Sequence, residues 1–346
     1  MDCIYFKDAG DYKKREDIVM REIDYESFCS QLADEVNGIF PDGYSAGIKE
    51  VLKNNGHMIS EITLSTPDSK VSPAIPLDKF YEEYLRNDDL TMVDLASEVA
   101  ATAMEAYENM PDWGMDVSSL LEPETAKSRI VAELINAHQN EKLLEQVPHK
   151  LINEDLAEVF RIMVREDASV LIRNEHMPLL QMDIADLDDA SKHNSISKYE
   201  FTDMAFMFPE GMMPEGMMYV GMSRSQETNE IMSFGASCIT DVAFMDEVCN
   251  RLGDDFAIIP SSIGEVIFIN VEDGMDPNQV AAMIRDVNSA ELRPEEVLSD
   301  KAYMYDYDHS RIITMEEGLE MRDLRKQQEQ EQEMNRNVAD PSIGIA

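Results

Sequence analysis

From Tyr25 to Phe40, Phe28, Leu32, Val36 and Ile39 recur at spacings of three and four, which places them on one face of a helix. Tyr44 to Leu64 reads as a hairpin. Ile48, Val51 and Leu52 lead into the turn signal Asn54-Asn55-Gly56, and Met58, Ile62 and Leu64 form the return strand. Ser72-Pro-Ala-Ile-Pro76 is expected to break regular structure. Helical pattern resumes over Leu77–Leu85 and over Met92–Met110, where Ala96 to Ala106 is alanine-rich. Met110-Pro-Asp-Trp-Gly114 is expected to stop that helix, and a further helix is expected over Pro123–His138.

The pattern changes near Pro148. Asp155–Val164 and Ala168–Ile172 run apolar in a strand-like way, although a short helix is an alternative for the first. Met177–Ala190 is a mixed acidic segment. Strands are expected at Met217–Met222, Phe234–Ile239, Phe256–Ile259 and Glu265–Val271, with a helix at Val242–Leu252. Another helix is expected over Pro277–Asn288, with Asp276 placed to cap it and Pro277 at its first position. Ala302–Tyr305 and Arg311–Thr314 read as a closing hairpin. Antiparallel pairs with helices laid against them give an α+β class: a helix-rich N-terminal half containing a hairpin, and a C-terminal half of mainly antiparallel strands with packed helices. The implied organisation is a loosely held extension over 1–20, with Met20 as an alternative start, a helical region over 21–147, an α+β region over 148–315 and a polar tail over 316–346. That tail contains Gln327-Gln-Glu-Gln-Glu-Gln-Glu333 and is expected to be a solvated helix or disordered.

Charge narrows the partner classes. The 346 residues include 29 Lys and Arg against 70 Asp and Glu, a formal net charge of −41. Phosphate backbones and anionic lipid both need clustered cations, so neither direct nucleic-acid binding nor membrane docking is expected. The acidic excess is spread over both halves. Solubility is its ordinary explanation, and imitation of DNA phosphate spacing is the sharper one. Cys3, Cys29, Cys238 and Cys249 form no C-x-x-C pair and read as reduced thiols. No basic stretch followed by an apolar run opens the chain, and no stretch approaches the roughly 18 apolar residues of a membrane span. A cytoplasmic location is expected.

Few chemical motifs stand out. The His residues at 57, 138, 149, 176, 193 and 309 make no H-x-x-x-H or H-E-x-x-H pattern. No phosphate-binding glycine loop and no G-x-S-x-G elbow is present. Ser261 and Ser262 after Pro260, with Glu265 nearby, are the most tempting nucleophiles. A Pro-Ser-Ser turn whose hydroxyls cap backbone groups is the commoner structure. Asp183, Asp186, Asp188 and Asp189, like Glu272, Asp273 and Asp276, lack the EF-hand spacing and read as caps or solvated faces. Tyr303, Tyr305 and Tyr307 alternate and would share a strand face. Pro209-Glu-Gly-Met-Met213 is repeated at once as Pro214-Glu-Gly-Met-Met218. This reads as a small duplication in a loop ahead of a buried strand, with an adaptable Met-rich binding patch or a soft-metal site as the sharper readings.

Several segments carry a family resemblance. They are Phe234-Gly-Ala-Ser-Cys-Ile239, Ile258-Ile-Pro-Ser-Ser-Ile-Gly-Glu-Val-Ile267, Val287-Asn288, and Glu295-Glu-Val-Leu-Ser-Asp300 with Tyr303 and Tyr305. Val51-Leu-Lys-Asn-Asn-Gly56, Pro73-Ala-Ile-Pro-Leu77 with Phe80-Tyr-Glu-Glu-Tyr84, and Ile130-Val-Ala-Glu-Leu-Ile-Asn136 support it. Together they resemble an uncharacterised domain-of-unknown-function family of Gram-positive anaerobic gut bacteria. The resemblance implies a cytoplasmic bacterial protein and supplies no catalytic residues. Where that family usually has a His after Pro-Ser-Ser, this chain has Gly264. No residue is therefore assigned as catalytic, cofactor-binding or metal-ligating. The reading is a non-enzymatic interaction or regulatory module with an unknown protein partner. The alternatives are a hydrolase-like enzyme using the Pro-Ser-Ser segment and a DNA-mimicking inhibitor of a DNA-binding protein.

Overall fold

The computed structural model describes residues 23–65, 74–108, 120–165, 168–195, 199–209, 211–224, 231–232 and 234–339. The extension over 1–20, Ser72-Pro73, the stop signal at 110–114 and the last residues of the tail lie outside them. The chain is α+β, and the three sheets among the described residues are antiparallel. It forms two compact units, one over residues 1–52 and 58–113, the other over 53–57 and 114–346.

The first unit begins with helix α1 (Tyr25–Ile39), capped by the Asp24 carboxylate on the Ser27 amide at 2.8 Å. Strands β1 (Ser45–Leu52), β2 (Met58–Ser65) and β3 (Ala74–Pro76) form a sheet in that order. The Ala-Ile-Pro segment expected to break structure is thus a short edge strand. An edge position tolerates Pro76, and Ile75 is buried. Helices α2 (Asp78–Arg86) and α3 (Met92–Glu108) follow. Thr91 and Asp94 cap α3 reciprocally through each other's backbone amides. Phe28, Leu32 and Val36 of α1 meet Ile62 and Leu64 of β2 and Leu95 and Val99 of α3 in one apolar cluster. Full burial of each of these large side chains contributes about 1.5–3 kcal/mol.

The second unit holds the other two sheets. After α4 (Pro123–Lys127), β4 (Ile130–Asn136) corrects the expected helix over 123–138. All seven residues of β4 are buried, Glu133 and Asn136 included, so the segment shows no two-residue alternation of polar and apolar positions to separate strand from helix. Then come α5 (Glu141–Leu144), β5 (His149–Leu151), β6 (Leu156–Arg165) and β7 (Ala168–Leu171). Strand β6 pairs with β4 on one side and with β5 and β7 on the other. The boundary placed near residue 148 lies inside this unit. The acidic segment over 177–190 is helical, as α6 (Met177–Leu180) and α7 (Ile184–Ser195).

The larger sheet contains β8 (Tyr199–Asp203), β9 (Met218–Ser223), β10 (Phe256–Pro260), β11 (Glu265–Asn270), β12 (Tyr303–Asp306) and β13 (Arg311–Thr314). Their order is β13-β12-β10-β11-β9-β8, so β8 is an edge strand. Between them lie α8 (Val242–Leu252) and α9 (Pro277–Glu291), and α10 (Met315–Ala339) follows β13. Side chains alternate cleanly. Phe256, Ile258, Phe268, Tyr303 and Ile312 face α8, while Ala257, Met304 and Ile313 face α9 and α10.

The strand expected at Phe234–Ile239 is instead a 3₁₀ segment, Gly235–Thr240. A side chain at Gly235 would place its Cβ 2.0 Å from the Gly264 carbonyl oxygen, so the segment packs directly on the β10–β11 turn.

Candidate functional site

Between β8 and β9 the chain leaves the sheet as a closed loop. Asp203, at the end of edge strand β8, is nearly buried. Its Oδ1 accepts the Ala205 amide at 2.9 Å and its Oδ2 accepts the Gly216 amide at 2.7 Å. One carboxylate therefore ties the start of the loop to its end, a closure typical of compact surface loops. Within it, the Met212 amide bonds the Pro209 carbonyl at 3.1 Å. The glycine of each repeat, Gly211 and Gly216, has a left-handed φ of 85° and 78°. A residue with a Cβ would be strained at either position, so the repeat encodes two turns.

The base of this loop is aromatic and rigid. Phe201 stacks on Tyr219 with ring centroids 5.0 Å apart, and meets Phe244 and Phe268 edge-on. The Arg251 guanidinium lies 5.6 Å from the Tyr219 ring. The top is apolar and open. Phe206 is 71% exposed and Met217 58%, and Met207, Phe208 and Met212 are also exposed. Single exposed apolar residues need no explanation, but five large ones on one pinned loop do. The repeat does sit in a loop ahead of buried β9. Its side chains at 212 and 217 nevertheless point outward and do not enter the core.

The sequence candidates fare differently. Ser262 Oγ accepts the Gly264 amide at 3.0 Å and so caps the β10–β11 turn. Ser261 Oγ donates to Glu265 Oε1 at 2.9 Å. Among the described residues no His bonds either hydroxyl, and this pair lacks the oriented base that makes a serine nucleophilic. Asp183 and Asp186 accept each other's backbone amides at the start of α7. Asp188 pairs with Lys150 and Lys192. Asp273 pairs with Arg322 and Lys326, and Asp276 caps α9. Tyr303 and Tyr305 are buried on one strand face, whereas Tyr307 lies past the strand end and is exposed. Cys29, Cys238 and Cys249 are free. Burial and then nearby Asp254 and Asp246 push the Cys249 thiol up to about 11, and burial pushes Cys238 well above its usual value. Neither is a ready thiolate nucleophile.

One titratable group escaped the sequence reading. Glu158 is wholly buried on the face of β6 that looks towards α7 and the 3₁₀ segment. Its Oε1 meets the Thr240 hydroxyl in a short hydrogen bond, and its Oε2 has no partner. Thr240 Oγ1 also lies 2.8 Å from the Ser237 carbonyl. A hydroxyl has one proton to donate. Both contacts are satisfied when Glu158 carries its proton and donates to Thr240, which in turn donates to Ser237. Burial pushes the Glu158 carboxyl up, and Asp188 adds to this. A hydrogen bond donated by Thr240 to the ionised carboxylate, and the charges of Lys150 and Lys192, pull the other way. Asp188 behaves oppositely. Burial raises it, but hydrogen bonds from Lys150 at 2.8 Å and Lys192 at 2.9 Å outweigh burial and hold it below the usual value. Glu158 could have been suspected as an acid inside the mainly apolar stretch Leu156–Phe160. Asp203 carries no signal beyond standing at a strand end ahead of Gly-containing repeats.

A family model describing a family of unknown function, DUF5688, matches residues 25–307. The chain belongs to that family. No curated protein and no solved structure matches it. Within the second unit, several segments that carry the sequence resemblance converge on backbone carbonyls. Asn54 Nδ2 donates to the Glu295 carbonyl at 2.8 Å, Asn55 Nδ2 donates to Pro294 and Val297, and Asn136 Nδ2 donates to Leu298. Asn140 Oδ1 accepts the Asn55 amide. These amides satisfy irregular backbone, which gives them a structural task.

Proposed function

We propose that this DUF5688 member is a non-enzymatic interaction module that docks a protein partner on the loop closed by Asp203. The exposure of Phe206, Met207, Phe208, Met212 and Met217 on a loop pinned at both ends carries this reading. The loop backbone is already fixed by the Asp203 closure, so docking orders little further backbone, and covering the exposed side chains releases about 25 cal/mol for each Å² of apolar surface, against the cost of fixing their rotamers. The hydroxyls at Ser261 and Ser262 have turn and carboxylate partners, so no comparable arrangement favours hydrolysis.

The test compares the full chain as bait with its F206S/M217S variant and with an M283S/V287S control, whose changes fall at exposed positions of α9. A partner recovered by the wild type and the control, lost from F206S/M217S, and binding again in the same order once purified supports the reading. Equal recovery by all three baits removes it.

A further inference from the structure

We infer that the occupant of this loop is a cationic amphipathic segment of a partner protein, whose apolar side chains seat among Phe206, Met207, Phe208, Met212 and Met217. This rests on the docking reading above and adds the chemistry of the partner.

Charge supplies the first argument. From Tyr199 to Ser223 the chain has Glu200, Asp203, Glu210 and Glu215 and not one Lys, Arg or His. Lys198 precedes this stretch in the sequence, and two cations described near it, Arg224 and Arg251, are already engaged. Arg224 lies 3.6 Å from the Glu200 carboxylate, and Arg251 covers the Tyr219 ring. The rest of the molecule does not offset this bias, because the whole chain carries −41. An acidic partner would be repelled and a neutral one would gain nothing from the field. A basic one is steered in and loses repulsion on arrival.

The side chains supply the second argument. The stretch from Met204 to Met222 contains seven methionines with Phe206 and Phe208. Thioether chains are unbranched and polarizable, and they repack around apolar residues of different shapes. Such a surface reads the presence and spacing of apolar residues more than their identity, and leaves charge to set the choice of partner. A bare cation would leave the phenylalanines uncovered, and an uncharged apolar peptide would forgo the field. The combination of both features in one segment is what matches the loop.

The experiment uses fluorescence anisotropy on the full chain with three labelled amphipathic peptides of equal length, patterned Lys/Leu, Gln/Leu and Glu/Leu. Circular dichroism verifies the fold of each protein variant. The Lys/Leu peptide should bind wild type and M283S/V287S in the micromolar range and bind F206S/M217S at least about tenfold more weakly. Its affinity should fall as NaCl rises from about 50 to about 500 mM, because screening shortens the reach of the field. Gln/Leu should bind at least about tenfold more weakly than Lys/Leu, and Glu/Leu should not bind. If Gln/Leu matches Lys/Leu and both are lost in F206S/M217S, the docking loop stands and the cationic partner is wrong. If Lys/Leu binds F206S/M217S as well as wild type, its attraction is general and does not use this loop, which overturns the inference. Absence of Lys/Leu binding to wild type overturns it too.

Discussion

Glu158 shows how one buried proton can set the pH response of a fold. Burial raises its pKa, so the folded chain keeps a proton that the unfolded chain has lost above its own value near 4.5. Glu158 therefore supports the fold fully below that value, and its support falls as pH rises through the folded pKa. Asp188 and Asp306 act in the opposite direction. Burial raises both, but Lys150 and Lys192 in the first case, and Arg311 and His309 in the second, more than offset it. Their support is present above the usual carboxylate value near 3.8 and fails as pH drops through the folded pKa. Glu158→Gln separates the two effects, since its amide can donate to Thr240 at every pH. Thermal melts should show little difference from wild type near pH 4 and an advantage for the variant that grows towards pH 8, of the order of 2–4 °C per kcal/mol. A difference that stays constant with pH would mean that Glu158 keeps no proton when folded. At this scale little was legible in the sequence. Burial of a lone Glu depends on what packs over β6, and neither α7 nor Thr240 is its neighbour in the chain.

Elements were legible where a local signal marks them. The periodicity of Phe28, Leu32 and Val36 follows from a single exposed side of α1, the Asn-Asn-Gly turn from its residues, and β10 to β13, although covered on both faces, from short β-branched and aromatic runs bounded by turn residues. The reading failed in β4, buried on both faces with no such bounds, and where backbone packs on backbone, as at Gly235. The Asp203 loop lies between these cases. Its turns are written in the repeat, but its closure is not, because the acceptor and the Gly216 amide are separated by the whole loop. Asp203→Ala should leave that closure unmade. Cleavage after Phe206 by chymotrypsin should then quicken by on the order of tenfold, the effect of losing about 1–3 kcal/mol of local order. The rest of the sheet should stay protected. Unchanged cleavage would show that the aromatic base alone holds the loop.

For the whole molecule, class and charge were legible. The α+β arrangement follows from the order of elements. The unit boundary after residue 113 falls within the stop signal Met110-Pro-Asp-Trp-Gly114, whereas the change of pattern near Pro148 lies within one unit. A charge of −41 on 346 residues makes the folded state repel itself. Its melting temperature should rise as NaCl increases from about 20 to about 300 mM, since salt shortens the Debye length from roughly 20 to roughly 6 Å. A flat or falling profile would show that the ion pairs of Asp188, Asp273 and Asp306 outweigh the general repulsion. No helix among the described residues is long and apolar enough to cross a membrane.

The tandem Pro-Glu-Gly-Met-Met units also bear on how such a surface can change over generations. Asp203 grips only the two ends of the loop, and the gripped amide belongs to the Pro-Glu-Gly216 of the second unit. Gain or loss of one five-residue unit by replication slippage would leave that closing triplet in place and spare the core any repacking. The reach and stickiness of the surface could thus drift in whole-unit steps under selection, while the sheet beneath it stays fixed.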